Sequence, residues 1–472
     1  MFIGRESEME ILNNRYKSGK FEFLTIYGRR RVGKTELITE FIKDKNSIFF
    51  PAIEANARDN LKLLTAAIYD YAVSNKKTAP DIGRIESFQE AFDTIAELAA
   101  QEKFVFVIDE FPFAVKSDPS IMSRLQHLID HKLKKTDIMM IFSGSSMSFM
   151  EKQVHGYKSP LYGRRTGQIK LLPFRYDEIE KWFPTYTPEE LALTFGVIGG
   201  VPSYLGQFSG KVSVKQNILN EIMKKDAMLF EETTNLMKQE LSEPKTYNSI
   251  IAAIAQGRTK LSEISTAVGV ETGPLTTYID NLISLGIIKK ERPILSDVSK
   301  KTLYLIADNY FRFWYRFVLK NTVTILSGKM PEEYDSAVGQ HLSEYMGLAF
   351  EEMCKEFLLY RDEKLPFNVS QIGQWWGGDP ISKSQVQIDI VALSSDSDKV
   401  IFGSCKYRSE KTSVSDLNEL KASAEAMGGT FKKVYYYIFS KSGFSPSLIK
   451  AAEKDDSVRL IPLNELYGRS RS

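Results

Sequence analysis

The sequence predicts an α/β chain: a parallel sheet that binds phosphate at its carboxyl edge, then a helical middle, then a second α/β region. Three stretches carry that prediction. The apolar run from Phe23 to Tyr27 leads into Gly28-Arg29-Arg30-Arg31-Val32-Gly33-Lys34-Thr35 and on into Glu36 to Phe41, which reads strand, phosphate loop, helix. Five apolar residues, Phe104 to Ile108, end in Asp109-Glu110, as a doubly buried strand does when it reaches a charged edge. Far downstream, Gln385 to Leu393 alternates with period two and is followed by the strand Val400 to Tyr407, a helical segment from Ser415 to Met427, and the strand Lys433 to Ser440.

In chain order, Phe2-Ile3-Gly4-Arg5-Glu6 begins with a turn and passes into a helix whose first turn is acidic, as the helix dipole favours. Just upstream of the phosphate loop, it can flank a base or be no more than a capped helix. In the loop itself, the glycines let successive N–H groups face one anion at a helix N-terminus, so Gly28, Arg31, Val32, Gly33, Lys34 and Thr35 are the candidate nucleotide-binding residues. Lys34 would reach the β and γ phosphates, and the Thr35 hydroxyl would ligate Mg²⁺. Ser47 to Ile53 reads as a second strand and Asn60 to Val73 as a helix. This unit leads us to expect the acidic strand beside the phosphate-loop strand in a parallel sheet.

At the end of the acidic strand, Asp109 would orient Mg²⁺ and Glu110 would polarise the attacking water. Another apolar strand, from Asp137 to Phe142, ends in Ser143-Gly144-Ser145-Ser146. These small hydroxyl residues, Ser145 first among them, are candidates for sensing the γ phosphate or positioning water there, unless the stretch is a plain turn. The loop Leu161-Tyr162-Gly163-Arg164-Arg165 offers Arg164 and Arg165 to a self-bound or neighbouring nucleotide.

Composition limits the classes. Lys plus Arg, 62, nearly balance Asp plus Glu, 60, so any nucleic-acid contact must come from a local patch. The two cysteines, Cys354 and Cys405, suit a reducing compartment and exclude a disulfide framework. His127 and His131 share a helical face, but the four histidines form no zinc pattern. No apolar run approaches the ~18 residues of a membrane span, and the N-terminal residues lack a signal-peptide layout. The expected location is the cytoplasm, with no membrane partner.

The motifs in Phe2–Glu6, Tyr27–Thr35, Val107–Phe111, Phe142–Ser146 and Leu161–Arg165, with Gly199-Gly200-Val201-Pro202-Ser203-Tyr204, resemble those of prokaryotic AAA+ ATPases of the archaeal-ATPase group. That group is related to the signal-transducing NTPases with numerous domains. The resemblance implies ATP and Mg²⁺ as cofactors, a P-loop AAA+ core over residues 1–175, and a helical lid over 176–243 in which Pro202 senses nucleotide.

Residues 244–308 resemble a winged helix-turn-helix: short helices around Ser249 to Ala255, Leu261 to Val268 and Gly273 to Leu285, then a two-stranded wing. Lys289, Lys290 and Arg292, with Lys300 and Lys301, make that wing basic and are the DNA-contact candidates. The helix that would read bases has no Arg or Lys, so a packing or protein-contact module stays open beside DNA binding. The aromatic run Tyr310 to Phe317 reads as a helix buried between domains, with base stacking as its alternative.

The last region, 309–472, resembles the restriction-endonuclease-like fold and, more narrowly, the domain of unknown function that follows such ATPases. The resemblance places Asp389 at the metal-binding aspartate, Lys406 at the lysine that polarises the scissile phosphate, and Glu351 at the helix glutamate. Ser404 stands where that family has a glutamate, and a neutral hydroxyl is a poor Mg²⁺ ligand. The combined expectation is an ATP-hydrolysing protein whose nucleotide state controls a winged helix and a degenerate nuclease-like domain acting on double-stranded DNA. An active ATP-regulated nuclease and a slow switch that binds protein partners are the alternatives. A homo-oligomer is required only if Arg164 or Arg165 acts across a subunit boundary.

Overall fold

The computed structural model describes residues 2–74, 85–295, 301–378 and 383–468. The chain forms two compact units, Met1–Pro173 and Phe174–Ser472.

The first unit is built on five strands: β1 (Glu22–Tyr27), β2 (Ser47–Pro51), β3 (Val105–Asp109), β4 (Met139–Gly144) and β5 (Gly167–Lys170). All pair in parallel, in the order β2-β3-β4-β1-β5. Every residue of β1, β3 and β4 is buried, so these strands read as unbroken apolar runs. Alternate side chains enter opposite faces. Phe23, Phe106, Ile108, Met140 and Phe142 belong to one core, and Leu24, Ile26, Val105, Val107, Met139 and Ile141 to the other. The helices Ala57–Ser74 and Phe88–Gln101 lie between β2 and β3 in sequence.

The order corrects one expectation: the acidic strand β3 does not lie beside the phosphate-loop strand β1. β4 stands between them, Met139 to Phe142 pairing with Val105 to Ile108 on one side and with Glu22 to Thr25 on the other. Both strands are fully buried and equally apolar, so the pattern that identifies them cannot order them. The consequence is chemical, because the hydroxyls at the end of β4 now stand between Asp109 and Gly28.

The second unit begins with helices, among them Pro188–Ile198, Val214–Glu221 and Met228–Glu240. Three more, Pro244–Ala255, Leu261–Val268 and Thr272–Ser284, precede an antiparallel pair, β6 (Ile288–Glu291) and β7 (Leu303–Ile306). A mixed sheet follows: β8 (Gln371–Gly378), β9 (Gln385–Leu393), β10 (Lys399–Lys406), β11 (Lys433–Ser440) and β12 (Val458–Pro462), in the order β12-β11-β10-β9-β8. β8, β9 and β10 are antiparallel neighbours, whereas β10, β11 and β12 run parallel.

One buried cluster runs from Phe174 to Tyr467, through all the segments expected as lid, winged helix and nuclease-like domain. The aromatic run supplies much of the joint: Tyr310, Phe311 and Phe313 are fully buried, and Trp314 donates from Nε1 to the Phe230 carbonyl at 2.8 Å. Tyr345 similarly donates its hydroxyl to the Gly196 carbonyl at 2.8 Å, and Tyr176 to that of Leu466 at 2.8 Å. These rings are core, which leaves no face for stacking on bases. Among the described residues no helix is long and apolar enough to cross a membrane.

Candidate functional site

At the carboxyl edge of the first sheet, the loop after β1 turns through two left-handed residues, Arg31 at φ 72° and Gly33 at φ 86°, before the helix Lys34–Ile42. Gly28 is required by a close approach: a Cβ there would lie 2.3 Å from the Leu171 carbonyl oxygen. Lys34 is buried and donates from Nζ to the carbonyls of Gly28 and Arg29, both at 3.1 Å, which holds the ammonium across the mouth of the loop. Val32 is fully buried in the sheet core and anchors the loop's far side.

β3 and β4 bring the carboxylates to this loop. The Thr35 hydroxyl donates to Asp109 Oδ2 at 2.7 Å, and the Ser143 hydroxyl donates to the other oxygen, Oδ1. Glu110 follows in the left-handed region at φ 51°, a conformation a non-glycine residue adopts at a cost and which recurs at functional sites. Its Oε2 accepts from the Ser145 N–H at 3.1 Å and the Ser145 hydroxyl at 2.9 Å. The structure thus gathers Thr35, Asp109, Glu110, Ser143 and Ser145 beside Lys34. A hydroxyl and a carboxylate 2.7 Å apart at a helix N-terminus form an oxygen donor pair suited to Mg²⁺, and the N–H groups of the loop suit phosphate.

Arg164 and Arg165 enter from the other end of the sheet. Gly167 pairs with Leu24 and Lys170 with Tyr27, so the two arginines precede β5 at the opposite edge of the sheet from Gly28. Arg164 is spent on Asp130, with Nε at 3.0 Å and Nη2 at 2.6 Å, and on the Pro160 carbonyl. Hydrogen bonds from Arg164 and Lys134 hold the Asp130 carboxyl down at about 2. Arg165 bonds Gln168. Arg164 is thus engaged by Asp130, while the Arg165 guanidinium interacts with Tyr27, the last residue of β1. Pro202 opens the short helix Pro202–Leu205 within the second unit.

In the second unit, the helix Leu342–Tyr360 lays Glu351 against the mixed sheet, where Gln374 Nε2 donates to its Oε2. Asp389 accepts the Cys405 N–H at 2.8 Å. Burial pushes Glu351 up to about 8, helped by Asp389, and burial also raises Asp389. Lys406 faces Asp416 at 3.9 Å, and Ser404 is buried beside it on β10. Among the described residues no group of three His, Cys, Asp or Glu gathers as a metal site. Ser404 supplies no carboxylate there, so the assignment of Asp389 as a metal ligand has Glu351 beside it and no third acidic group.

The candidate DNA contacts divide. Lys289 is held in an ion network, to Glu352 at 2.7 Å and Glu291 at 3.0 Å, and Lys355 joins at 3.1 Å from Glu352. Burial opposes ionisation of Glu352, but Lys289 and Lys355 outweigh it and hold that carboxyl down at about 2. Lys289 is thus a tie between β6 and the long helix, its ammonium engaged by two carboxylates. Lys290 and Arg292 stay at the surface, paired with Asp280 and Thr302. Lys300 lies outside the described residues.

A family described as an ATPase domain predominantly from Archaea matches residues 2–208, and a family of archaea bacterial proteins of unknown function matches 314–419. An uncharacterized protein of Methanocaldococcus jannaschii, MJECL04, is 36% identical over 414 residues, covering 87% of this chain and 88% of that protein. The chain belongs to the same family as that archaeal protein. A second protein of that organism, described as an uncharacterized ATP-binding protein, is 44% identical over 45 residues, covering 10% of this chain and 76% of its own length. Among solved structures, the Walker-type ATPase PABY2304 of Pyrococcus abyssi aligns over 67% of this chain and 96% of its own, at 19% identity and a TM-score of 0.52. The chain therefore carries an ATP-binding ATPase domain.

For two residues of that site the sequence offers a motif but not the contact. Ser143 is the first hydroxyl after an apolar run, and only the position of β4 shows that it faces Asp109. Arg5 is 6% exposed, and its guanidinium reaches the phosphate loop at Val32. No spacing rule links it to a residue 27 positions away.

Proposed function

We propose that the chain is an ATP-hydrolysing switch whose nucleotide state governs a DNA-directed second unit. The observation that carries the reading is the convergence of Thr35, Asp109 and Ser143 beside Lys34, with Glu110 held by Ser145. Mg²⁺, bound through Thr35 and Asp109, would supply charge stabilisation on the phosphates. The loop N–H groups orient the phosphates, and Lys34 exchanges its carbonyl partners for them. Glu110 orients the water and accepts its proton, and Ser145 fixes where that carboxylate waits.

DNA as the target of the second unit is supported by the β6–β7 hairpin. Its exposed Lys290 and Arg292 line a shallow groove of about 520 Å³ with Ile294 and the outer strand β8. The three helices and hairpin follow winged-helix order, and the helix, three strands, helix and strand that follow have the order of nuclease-like folds. With Ser404 neutral, we read that second site as degenerate. A partner-binding switch is the second reading, favoured by the absence of Lys and Arg from the helix Thr272–Ser284.

The salt dependence of duplex DNA affinity tests the reading. Each lost phosphate contact should lower the log–log slope by about one, so Lys290→Ala with Arg292→Ala should lower it by about two. Wild-type slopes in the double variant, or no DNA binding at all, would move the reading to the protein switch. Plasmid nicking with Mg²⁺ should be absent in wild type and appear on Ser404→Glu. Nicking by wild type that Asp389→Ala abolishes would instead assign an active nuclease.

A further inference from the structure

The residue that stands out after the nucleotide site is accounted for is Arg5. It caps the helix Glu6–Tyr16 in the left-handed region at φ 68°, and its side chain turns inward rather than to solvent. Nη2 donates to two carbonyls on different segments, Val32 at 3.1 Å in the phosphate loop and Leu172 at 2.7 Å, while Nη1 meets Glu8 at 3.2 Å. Leu172 is the second-last residue of the first unit, and the second begins at Phe174. The same two segments touch elsewhere: Leu171 N–H donates to the Tyr27 carbonyl at 2.7 Å, and Gly28 has no room for a Cβ against the Leu171 carbonyl.

Peptide planarity gives this contact its meaning. The Val32 carbonyl and the Gly33 N–H belong to one rigid plane and point in opposite directions. Where the loop aims N–H groups inward at phosphate, the Val32 carbonyl points outward, and Arg5 takes it from behind. Fixing that oxygen fixes the direction of the Gly33 N–H. Because the same nitrogen also holds Leu172, a rotation of the plane on binding phosphate must either break a buried charge-assisted bond or move Leu172 with it. A lysine cannot reproduce this, since its three donors sit on one nitrogen and lack the planar fork that also engages Glu8.

We propose that Arg5 is a positioning residue: it orients the Gly33 peptide toward the nucleotide and transmits the loop's state to the Leu172–Pro173 exit of the ATPase unit. This rests on the reading that nucleotide state governs the second unit. The test is Arg5→Lys, with Arg5→Ala beside it, in the full chain. ATP affinity is measured by calorimetry, and amide hydrogen exchange is followed over residues 28–35, 171–174 and the second unit, with and without ATP and Mg²⁺. Arg5→Lys keeps the charge and should fold even where Arg5→Ala does not.

We expect Arg5→Lys to lower ATP affinity by about tenfold and to remove the ATP-dependent exchange change at 171–174 that wild type shows. A merely structural residue would alter exchange equally with and without ATP. Wild-type ATP affinity and an ATP-dependent change at 171–174 persisting in Arg5→Lys would overturn the proposal. A second-unit response that survives in Arg5→Lys would overturn it too while sparing the switch. A wild-type response at 171–174 with none in the second unit would sink the switch and leave Arg5 standing.

Discussion

Asp109 accepts two hydroxyls, Thr35 on one oxygen and Ser143 on the other, and this division sets what single substitutions should do. Thr35→Val removes the hydroxyl that would ligate the metal but keeps the side-chain shape. ATP affinity in that variant should be nearly the same with Mg²⁺ as with EDTA, whereas wild type should tighten with Mg²⁺. An unchanged Mg²⁺ response would show that the pair does not hold the ion. Gly28→Ala puts a Cβ against backbone that cannot yield, at 2.3 Å from the Leu171 oxygen, so the loop itself must move. We expect a loss of about 1–3 kcal/mol in stability, with ATP affinity falling alongside it. Retained affinity and melting temperature would contradict the close approach.

Glu351 carries a pH dependence of definite sign. Its folded pKa lies above the ordinary 4.5, at about 8, because burial and Asp389 disfavour the charge. The folded chain therefore binds this proton more tightly than the unfolded chain. The stability it contributes is complete below about 4.5 and is lost as pH rises through about 8. Glu351→Gln, read by thermal melts of the chain across that window, should flatten the decline; an unaltered slope would exclude Glu351 as its source.

At the scale of elements, the hairpin β6–β7 is tied to the helix Leu342–Tyr360 by Lys289, Glu291, Glu352 and Lys355. Lys289 and Glu352 keep partial solvent access, so the cost of Lys289→Ala falls between that of surface and buried pairs, about 1–3 kcal/mol. Its effect should appear in melting temperature while the salt slope of DNA binding stays unchanged, the reverse of Lys290→Ala. A lowered slope in Lys289→Ala would restore it as a phosphate contact.

Most elements were legible because their periodicity is strong. The run from Phe104 to Ile108 and the alternation in Gln385 to Leu393 became β3 and β9 with small shifts at their ends. Order within the first sheet was not legible, since β3 and β4 are equally apolar and nothing local says which neighbours β1. β8 was missed because Gln371–Gly378 is interrupted by glycines and glutamines, and β12 because Val458–Pro462 is short and carries Arg459. Lys34, Thr35, Asp109, Glu110 and Ser145 do gather at one edge, whereas Arg5 and Ser143 depended on contacts over long separations. The pairing of Arg164 with Asp130 could not be read from a loop sequence.

For the whole molecule, a sheet edge that gathers a phosphate loop, a hydroxyl–carboxylate pair and the Ser145-held Glu110 carboxylate belongs to the first unit. The second unit contains a continuous core from Phe174 to Tyr467, so the β6–β7 hairpin and the buried Glu351–Asp389 pair share a body. A signal that reaches this body can affect both, which is the physical content of the proposed switch. The direct measurement is ATP turnover by wild type and Glu110→Gln, each with and without double-stranded DNA. We predict turnover that DNA stimulates and that Glu110→Gln lowers by about 10²–10⁴-fold, with ATP still bound. Negligible turnover in wild type under both conditions, with ATP bound, would contradict a DNA-coupled ATPase.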